Sequence, residues 1–251
     1  MERIVDFAKK VLYHNVQGTY VDFTMGNGND TLFFSRFAPE GRVYAFDIQP
    51  AALDSTQQLL EASGVLTQRW TGGRPEPSEA LSAHPAACKQ PRREEQSCPV
   101  TLILDSHSHL DRYDIGPIDG GMFNLGYLPR GDKSVTTLRP TTLEAIQKAL
   151  SLLKRDGVLV VAVYPGHPEG AMEGEMLQAF ASRLDKYYFN VILYRYINHP
   201  GSAFLFAFEK SKEGLPEGWS DWCRRQWEEL IPQGAGSDGK ASQTGEAAYG
   251  A

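Results

Sequence analysis

Short apolar, β-branched runs alternate along the chain with polar turns and with apolar residues at helical spacing. This alternation predicts strands and helices in turn, as in an α/β domain. The predicted strands span residues 20–25, 42–48, 100–105, 121–125, 158–164, 191–197 and 203–209, and the predicted helices span residues 3–13, 30–37, 51–63, 141–153 and 174–187. Because the last two strands have no helix between them, we expect a seven-stranded doubly wound sheet that ends in an antiparallel hairpin.

Residue types at the ends of two predicted helices add detail. Asn29 or Asp30 is the expected N-cap of the helix over 30–37, and Thr141-Thr142 is the expected N-cap of the helix that follows. Asp156-Gly157 predicts the end of that helix and a turn into the next strand.

Three segments do not fit the strand–helix alternation. Residues 72–99 are rich in Pro, Gly, Glu and Arg, and they predict a mobile surface insertion with too little apolar material to pack. A short amphipathic helix that docks on the main body is predicted over residues 218–231 from the spacing of Trp219, Trp222 and Trp227. The expected organisation is a main domain over residues 1–210, a C-terminal helix within 211–232 and a disordered tail over 233–251.

Composition narrows the class of protein. The 251 residues suit one large domain with an appendage, and the apolar run at 158–163 is too short to span a bilayer. A net charge of −6 argues against a protein that coats nucleic acid non-specifically, although it leaves room for a local basic site. The three cysteines form no CxxC pair and the N-terminus has no secretory pattern, so we expect a cytoplasmic protein without membrane contact.

A glycine-rich turn follows the first predicted strand, and the next strand ends in an acid. Gly26-Asn27-Gly28 leads into a helix, and Asp47 comes about 20 residues later. This spacing predicts a ligand with an adenine-linked ribose, either a dinucleotide or S-adenosylmethionine. Leu32 stands where a third glycine would fall, and the polar Asp30 and Thr31 favour the amino-acid end of S-adenosylmethionine over a pyrophosphate.

His107 and His109, after the third predicted strand, suggest an alternative. This His-x-His string is similar to the opening motif of TatD-type metal-dependent nucleases and, more weakly, to metallo-β-lactamases. A barrel hydrolase needs about 200 residues after that motif, more than remain here, and Arg112 follows Asp111 where the lactamase pattern has a histidine. We therefore expect no metal site, and we interpret Ser106 and His107 as lining the adenine side of a cleft.

Asn124-Leu125-Gly126-Tyr127 follows the fourth predicted strand. Many amino-group methyltransferases carry an Asn/Asp-Pro-Pro-Tyr turn there, in which carbonyl oxygens accept hydrogen bonds from the target nitrogen and the aromatic ring stacks on the substrate. The sequence here is a variant of that turn. The alternative is a polar loop with a structural asparagine.

Together these motifs resemble a known family over about residues 17–210. They are residues 24–31, residues 44–49, Ser106-His107, residues 123–133, and residues 164–170 with Glu173. The chain is similar to the bacterial "putative rRNA methylase" family of tRNA 5-aminomethyl-2-thiouridine methyltransferases, which are Rossmann-like class I enzymes. The resemblance implies methyl transfer from S-adenosylmethionine to the aminomethyl group on the wobble uridine of certain tRNAs.

The residues and the resemblance together predict the site. The expected cofactor-binding residues are Thr24, Gly26, Asn27, Gly28, Asp30, Thr31, Asp47, Ile48, Gln49, Ser106, His107 and Asn124. The expected catalytic residues are Asn124, Tyr127, Asp132 and His167, and the expected substrate-binding residues are Tyr127, Arg130, Lys133, Tyr164 and Glu169. An aminomethyl group must lose a proton before it attacks, and the candidate acceptors are Asp132, His167 and Glu169.

The expected nucleic-acid partner is the anticodon stem-loop of a tRNA. Tyr127 and Tyr164 would stack on the uridine. Arg112, Arg130, Lys133 and Arg139 would form a phosphate-binding rim unless they are ordinary solvated charges. The sequence allows a homodimer. Other functions left open are a methyltransferase for a small-molecule amine, a metal-dependent hydrolase, a nicotinamide-dependent oxidoreductase and a non-catalytic binding module.

Overall fold

A computed structural model describes residues 4–70, 97–128, 135–199 and 201–231. Eight strands form one sheet: β1 (Thr19–Asp22), β2 (Arg42–Asp47), β3 (Thr67–Arg69), β4 (Val100–Leu104), β5 (Ile118–Asn124), β6 (Leu153–Val163), β7 (Phe189–Tyr194) and β8 (Phe204–Lys210). The α-helices are α1 (Ile4–Val11), α2 (Asn29–Phe37), α3 (Pro50–Ala62), α4 (Arg139–Leu152), α5 (Pro168–Ser182) and α6 (Trp219–Leu230), and a 3-10 helix spans His107–Arg112.

The strand order is β3-β4-β2-β1-β5-β6-β8-β7. All neighbours pair in parallel except β8, which is antiparallel to both β6 and β7. This is the expected doubly wound sheet with a C-terminal antiparallel hairpin. The strand order reverses between β1 and β5, and in such sheets ligands bind at the carboxyl ends of the strands on either side of that point.

Alternate residues of the central strands enter two separate apolar layers. Val21 and Phe23 pack with α4, α5 and α6 on one face, whereas Tyr20 packs with α1, α2 and α3 on the other. Because successive side chains of a strand point to opposite faces, a strand covered on both faces is apolar throughout. Phe23 and Phe123 stack with ring centroids 4.1 Å apart, which joins the ends of β1 and β5 beneath the cleft.

The count of seven strands was wrong, since the structure has eight. The additional strand, β3, has only three residues, none of them apolar, and it lies at the edge of the sheet, so it carries no hydrophobic alternation. Strand β6 also begins at Leu153, and Asp156-Gly157 lies within it at a register irregularity, where Asp156 has a φ of 65°.

Both predicted side-chain caps were wrong as well. Helix α2 is preceded by Gly28 at a φ of 80°, without a side-chain cap, and Asp30 is bonded elsewhere. Helix α4 begins at Arg139, before Thr141 and Thr142. Pro140 occupies its first turn, where a missing N–H costs nothing.

The three segments that did not fit the strand–helix alternation are described by the structure to different extents. Most of the predicted insertion and the predicted tail from residue 233 lie outside the described residues. At the end of the insertion, however, Cys98 is buried and its N–H donates to the Ser35 carbonyl at 2.9 Å, so that end belongs to the packed body. Helix α6 packs on α4, with Trp219 Nε1 donating to Ser151 Oγ at 2.8 Å. None of the helices in the described part of the chain is long and apolar enough to cross a membrane.

Candidate active site

The glycine turn after β1 lies against helix α3. Gly26 and Gly28 have φ values of 51° and 80°, a region that favours glycine. A Cβ on Gly28 would lie 2.9 Å from Thr56, so the turn has no room for a side chain there. The Thr56 hydroxyl donates to the Gly26 carbonyl at 3.0 Å and fixes the turn. The turn is therefore held in one conformation against α3.

Asp22, at the end of β1, holds the same turn from below. It is fully buried, and it accepts hydrogen bonds from the Thr24 N–H at 3.1 Å and the Thr31 hydroxyl at 2.6 Å. Burial raises its pKa to about 7, and the nearby charge of Asp30 adds to the increase. Sequence analysis missed this residue, although an acid at the end of an apolar buried strand is an available signal.

Asp47 reaches the turn from the end of β2. Its two carboxylate oxygens accept the Gly26 N–H at 3.1 Å and the Gln49 N–H at 3.0 Å. Burial raises its pKa. A carboxylate has about four lone-pair sites, so these backbone N–H groups leave Asp47 acceptor capacity for ribose. Ile48, next in the chain, exposes 55% of its surface and offers an apolar face for a base.

Asn124, at the end of β5, closes the opposite side of the turn. Its backbone N–H donates to Thr24 Oγ1 at 2.8 Å, and its side-chain Nδ2 donates to Asp30 Oδ2 at 2.8 Å. Lys9 Nζ lies 2.7 Å from the other Asp30 oxygen. Asn124 Oδ1 is buried and accepts no hydrogen bond from any residue that the structure describes. The site therefore contains a fixed, unsatisfied carbonyl acceptor.

Lys9 was not predicted from the sequence. It lies on α1, far from the motifs in the chain, and nothing distinguishes it there from a solvated surface lysine. Its Nζ also lies 4.9 Å from the centroid of the Phe33 ring. Only the packing of α1 against the body brings its charge to Asp30.

The two histidines of the His-x-His string turn to different partners. His107 Nδ1 donates to the Phe23 carbonyl at 3.2 Å, so in the neutral ring Nε2 carries no proton. Nε2 is buried and has no partner among the described residues. Burial lowers the pKa of His107 to about 4, so the ring is neutral. His109 Nδ1 instead contacts Asp105 at 2.7 Å. Within the described ranges, no group of three or more His, Cys, Asp or Glu residues could hold a metal ion.

His167 caps helix α5. Its Nδ1 accepts the Gly170 N–H at 3.1 Å, so in the neutral ring Nε2 carries the proton. His167 therefore offers a hydrogen-bond donor, and the predicted role of proton acceptor would require it to give up the cap. Its ring centroid lies 5.7 Å from that of Tyr127, and Nε2 is buried beside the turn after β5.

Of the remaining predicted residues, Glu169, Tyr127, Tyr164 and Arg112 are described by the structure. Glu169 Oε1 accepts the backbone N–H of Arg139 at 3.0 Å and lies 3.3 Å from its Nε, so each has a partner within the protein. Tyr127 and Tyr164 expose 39% and 38% of their surfaces. Arg112 is exposed at the end of the 3-10 helix. Arg130, Asp132 and Lys133 lie outside the described residues.

The known proteins to which this chain is similar are methylases or methyltransferases. Residues 78–209 match the family described as "Putative rRNA methylase". A chloroplastic tRNA (mnm5s2U34)-methyltransferase of Arabidopsis thaliana is 33% identical in a match of 203 residues that covers 76% of this chain and 63% of that protein. This chain thus spans less than two thirds of the length of that curated relative.

Two solved structures match over nearly their whole length. A protein described as a putative rRNA methylase from Clostridium thermocellum has a TM-score of 0.64 at 30% identity, covering 84% of this chain and 98% of that chain. A putative methyltransferase from Streptococcus mutans, solved in complex with SAH, has a TM-score of 0.63 at 34% identity, covering 84% and 99%. Both support the Rossmann-like methyltransferase fold.

Proposed function

Since this chain belongs to the putative rRNA methylase family, we propose that it is an S-adenosylmethionine-dependent N-methyltransferase that acts on the aminomethyl group of 5-aminomethyl-2-thiouridine at the tRNA wobble position. The name of the Arabidopsis relative supports this substrate. The observation that carries the proposal is the buried Asn124 Oδ1, an acceptor without a partner among the described residues. It lies at the carboxyl end of β5, beside the glycine turn.

The site fits S-adenosylmethionine, which is the expected cofactor and supplies an activated methyl group when bound. A Cβ on Gly28 would lie 2.9 Å from Thr56, so glycine at this position lets the turn pack against α3. Asp47 would accept hydrogen bonds from the two ribose hydroxyls. His107 Nε2, neutral and without a partner in the described structure, would accept an N–H from the adenine.

Asn124 orients the amine. An amide oxygen accepts an N–H of the target nitrogen and directs that nitrogen's lone pair away from itself, towards the methyl group. Such alignment can contribute several kcal/mol to the barrier reduction. The hydrogen bond to Asp30 fixes the orientation of the Asn124 amide. A carboxylate can accept a hydrogen bond from the NH2 group of the amide, but it cannot donate one to the amide oxygen.

The amine also has to lose a proton. Two of the three candidate acceptors are engaged in the protein: His167 Nδ1 accepts from Gly170, and Glu169 Oε1 accepts from Arg139. The third, Asp132, lies outside the described residues. His167 can still contribute as a donor at Nε2, to a carbonyl oxygen of the substrate base.

Tyr127 and Tyr164 are the proposed stacking partners of the uridine, because both lie at the cleft and expose part of their rings.

The phosphate-binding rim, a homodimer and a cytoplasmic location stay predictions from the sequence. The curated relative is chloroplastic.

The decisive experiment offers the purified protein labelled S-adenosylmethionine and tRNA that carries 5-aminomethyl-2-thiouridine at the wobble position. We expect label in 5-methylaminomethyl-2-thiouridine after nucleoside digestion. The same tRNA already methylated at that amine is the matched control and should take up no label. Label transfer to free amines but not to tRNA would instead identify a small-molecule methyltransferase. A steep fall of tRNA binding with added salt would support contacts to phosphates.

A further inference from the structure

A buried carboxylate lies directly behind the proposed substrate turn. Glu173, on α5, is fully buried. Its Oε1 accepts the Thr142 hydroxyl at 2.6 Å, and its Oε2 accepts the Thr137 hydroxyl at 2.9 Å. Burial raises its pKa to about 7, and the nearby charge of Glu169 opposes its ionisation while Arg139 favours it. The two hydroxyls offset part of the cost of burying the carboxylate.

Thr137 connects this carboxylate to Gly126. The Gly126 N–H donates to Thr137 Oγ1 at 2.9 Å, and the Thr137 N–H donates to the Gly126 carbonyl at 3.0 Å. Gly126 has a φ of 144°, where other residues are strained, so its conformation has to be held by its partners. Tyr127 and Thr136 form a bridge immediately beyond.

We propose that Glu173 is a positioning residue for methyl transfer, acting through Thr137 on Gly126 to fix the turn that carries Asn124 and Tyr127. This inference rests on the proposed function, since it assigns those two side chains to the substrate. In the described part of the chain, Glu173 forms its hydrogen bonds with Thr137 and Thr142 and not with Asn124 or Tyr127. Its effect is transmitted by the peptide of Gly126, which lies between Asn124-Leu125 and Tyr127.

The polarity of the network explains the choice of a carboxylate. In its ionised form the carboxylate only accepts, so the Thr137 hydroxyl donates to it. The lone pairs of the hydroxyl oxygen are then available to the Gly126 N–H. A glutamine in the same place keeps one oxygen acceptor and presents its NH2 group to the other hydroxyl. When the NH2 group faces Thr137, it reverses the direction of that hydroxyl and disturbs the Gly126 bond while the core stays filled.

The test compares Thr137→Val with Thr137→Ser. Valine has the shape of threonine without the hydroxyl, whereas serine keeps the hydroxyl. Glu173→Gln tests the carboxylate itself. Thr141→Val is the matched control, because the Thr141 hydroxyl donates to the Leu138 carbonyl on the same helix turn and does not contact Gly126. Thermal unfolding of all four variants shows which of them are folded at the assay temperature.

Two measurements are made on each variant. In amide hydrogen exchange without substrate, we expect faster exchange of the Gly126 amide in Thr137→Val and Glu173→Gln than in the wild type, and unchanged exchange in Thr137→Ser and Thr141→Val. In methylation assays, we expect kcat to fall about tenfold or more in the first two, since small misplacements of a reacting group have effects of that order. SAH affinity should stay within about twofold, because the network does not hold the glycine turn.

The outcomes separate this inference from the proposed function. If the wild type does not methylate the tRNA, the proposed function fails, and the exchange rates still decide whether Glu173 holds Gly126. If the wild type is active and folded Thr137→Val shows wild-type kcat, or wild-type exchange at Gly126, the positioning role is overturned. An equal loss in Thr137→Ser and Thr137→Val would also overturn it, because the hydroxyl would then be irrelevant.

Discussion

Asn124 Nδ2 and Asp30 Oδ2 are 2.8 Å apart, although 94 positions separate the two residues in the chain. The contact joins the end of β5 to the start of α2, across the glycine turn. It commits the NH2 group of Asn124 to Asp30 and leaves Oδ1 buried and without a partner among the described residues. Lys9 neutralises the far oxygen of Asp30 from α1, so three elements fix one amide.

Replacement of Asn124 tests this acceptor. Asn124→Ala should lower turnover about tenfold or more with SAH affinity nearly unchanged, as for an interaction used mainly in the transition state. Asn124→Asp should also be impaired, because a second carboxylate would face Asp30. Steady-state kinetics and calorimetry measure the two quantities. Full turnover by a folded Asn124→Ala variant would refute the proposed role.

Lys9 should contribute to turnover without contacting the substrate. Lys9→Met keeps the aliphatic stem over Phe33 and removes the charge that neutralises Asp30. We expect a loss in kcat of about fivefold, which corresponds to about 1 kcal/mol for a partly buried ion pair. Lys10→Met, on the more exposed neighbouring position, is the control. Equal effects of the two substitutions would mean that only the overall charge of α1 matters.

Asp47 should determine cofactor affinity. Asp47→Ala leaves two ribose hydroxyls without their acceptor, and we expect a loss of about 2 kcal/mol in the binding of S-adenosylmethionine. Asp54→Ala is the matched control, because Asp54 is an exposed acid on α3 that pairs with Arg69. Isothermal titration calorimetry gives both affinities. Tighter binding of NAD than of S-adenosylmethionine would contradict the cofactor assignment.

Asp22 should make the stability of the protein depend on pH. Its folded-state pKa of about 7 lies above the usual value near 4, so the folded protein holds this proton more tightly than the unfolded chain does. The stabilisation from this group is complete below about pH 4 and is lost as the pH rises through about 7. Asp22→Asn should therefore gain stability relative to the wild type as the pH rises from about 4 to about 7.

Urea unfolding of both proteins at several pH values measures that difference. Asp54→Asn, an exposed acid, should show no comparable trend. A difference between Asp22→Asn and the wild type that stays constant with pH would show that Asp22 is ionised in both states.

Chelators should leave methylation unchanged. His107 Nδ1 donates to Phe23 and His109 contacts Asp105, so the two rings of the His-x-His string have separate partners. Removal of divalent ions with EDTA, and the His109→Ala variant after a check of its folding, should retain turnover. Activity that is lost with EDTA and restored by one metal ion would point to the metal-dependent alternative.

The hydrophobic pattern was sufficient to predict the order of the long strands and helices and the C-terminal hairpin. The glycines and the acid themselves predicted the glycine turn and the position of Asp47. These features depend on residues close together in the chain: periods of two and 3.6, glycines that allow positive φ, and an acid at the end of a strand. The edge strand Thr67–Arg69 was missed because its polar residues carry no such period. Both side-chain caps were also misassigned: Asp30 has tertiary partners in Asn124 and Lys9, and helix α4 begins at Arg139, before Thr141.

Only the tertiary structure decided which polar groups meet. Thr24 and Asn124 are 100 positions apart, and Thr137 and Glu173 are 36 apart, yet each pair is joined by one short hydrogen bond. A buried polar group takes its partner from whatever the packing brings beside it, and local sequence contains no record of that neighbour. The sequence thus determined which residue types stand at the ends of the strands. The packed sheet and helices determined that Asn124 Oδ1 would be left without a partner among the described residues, and that Glu173 would lie behind its turn.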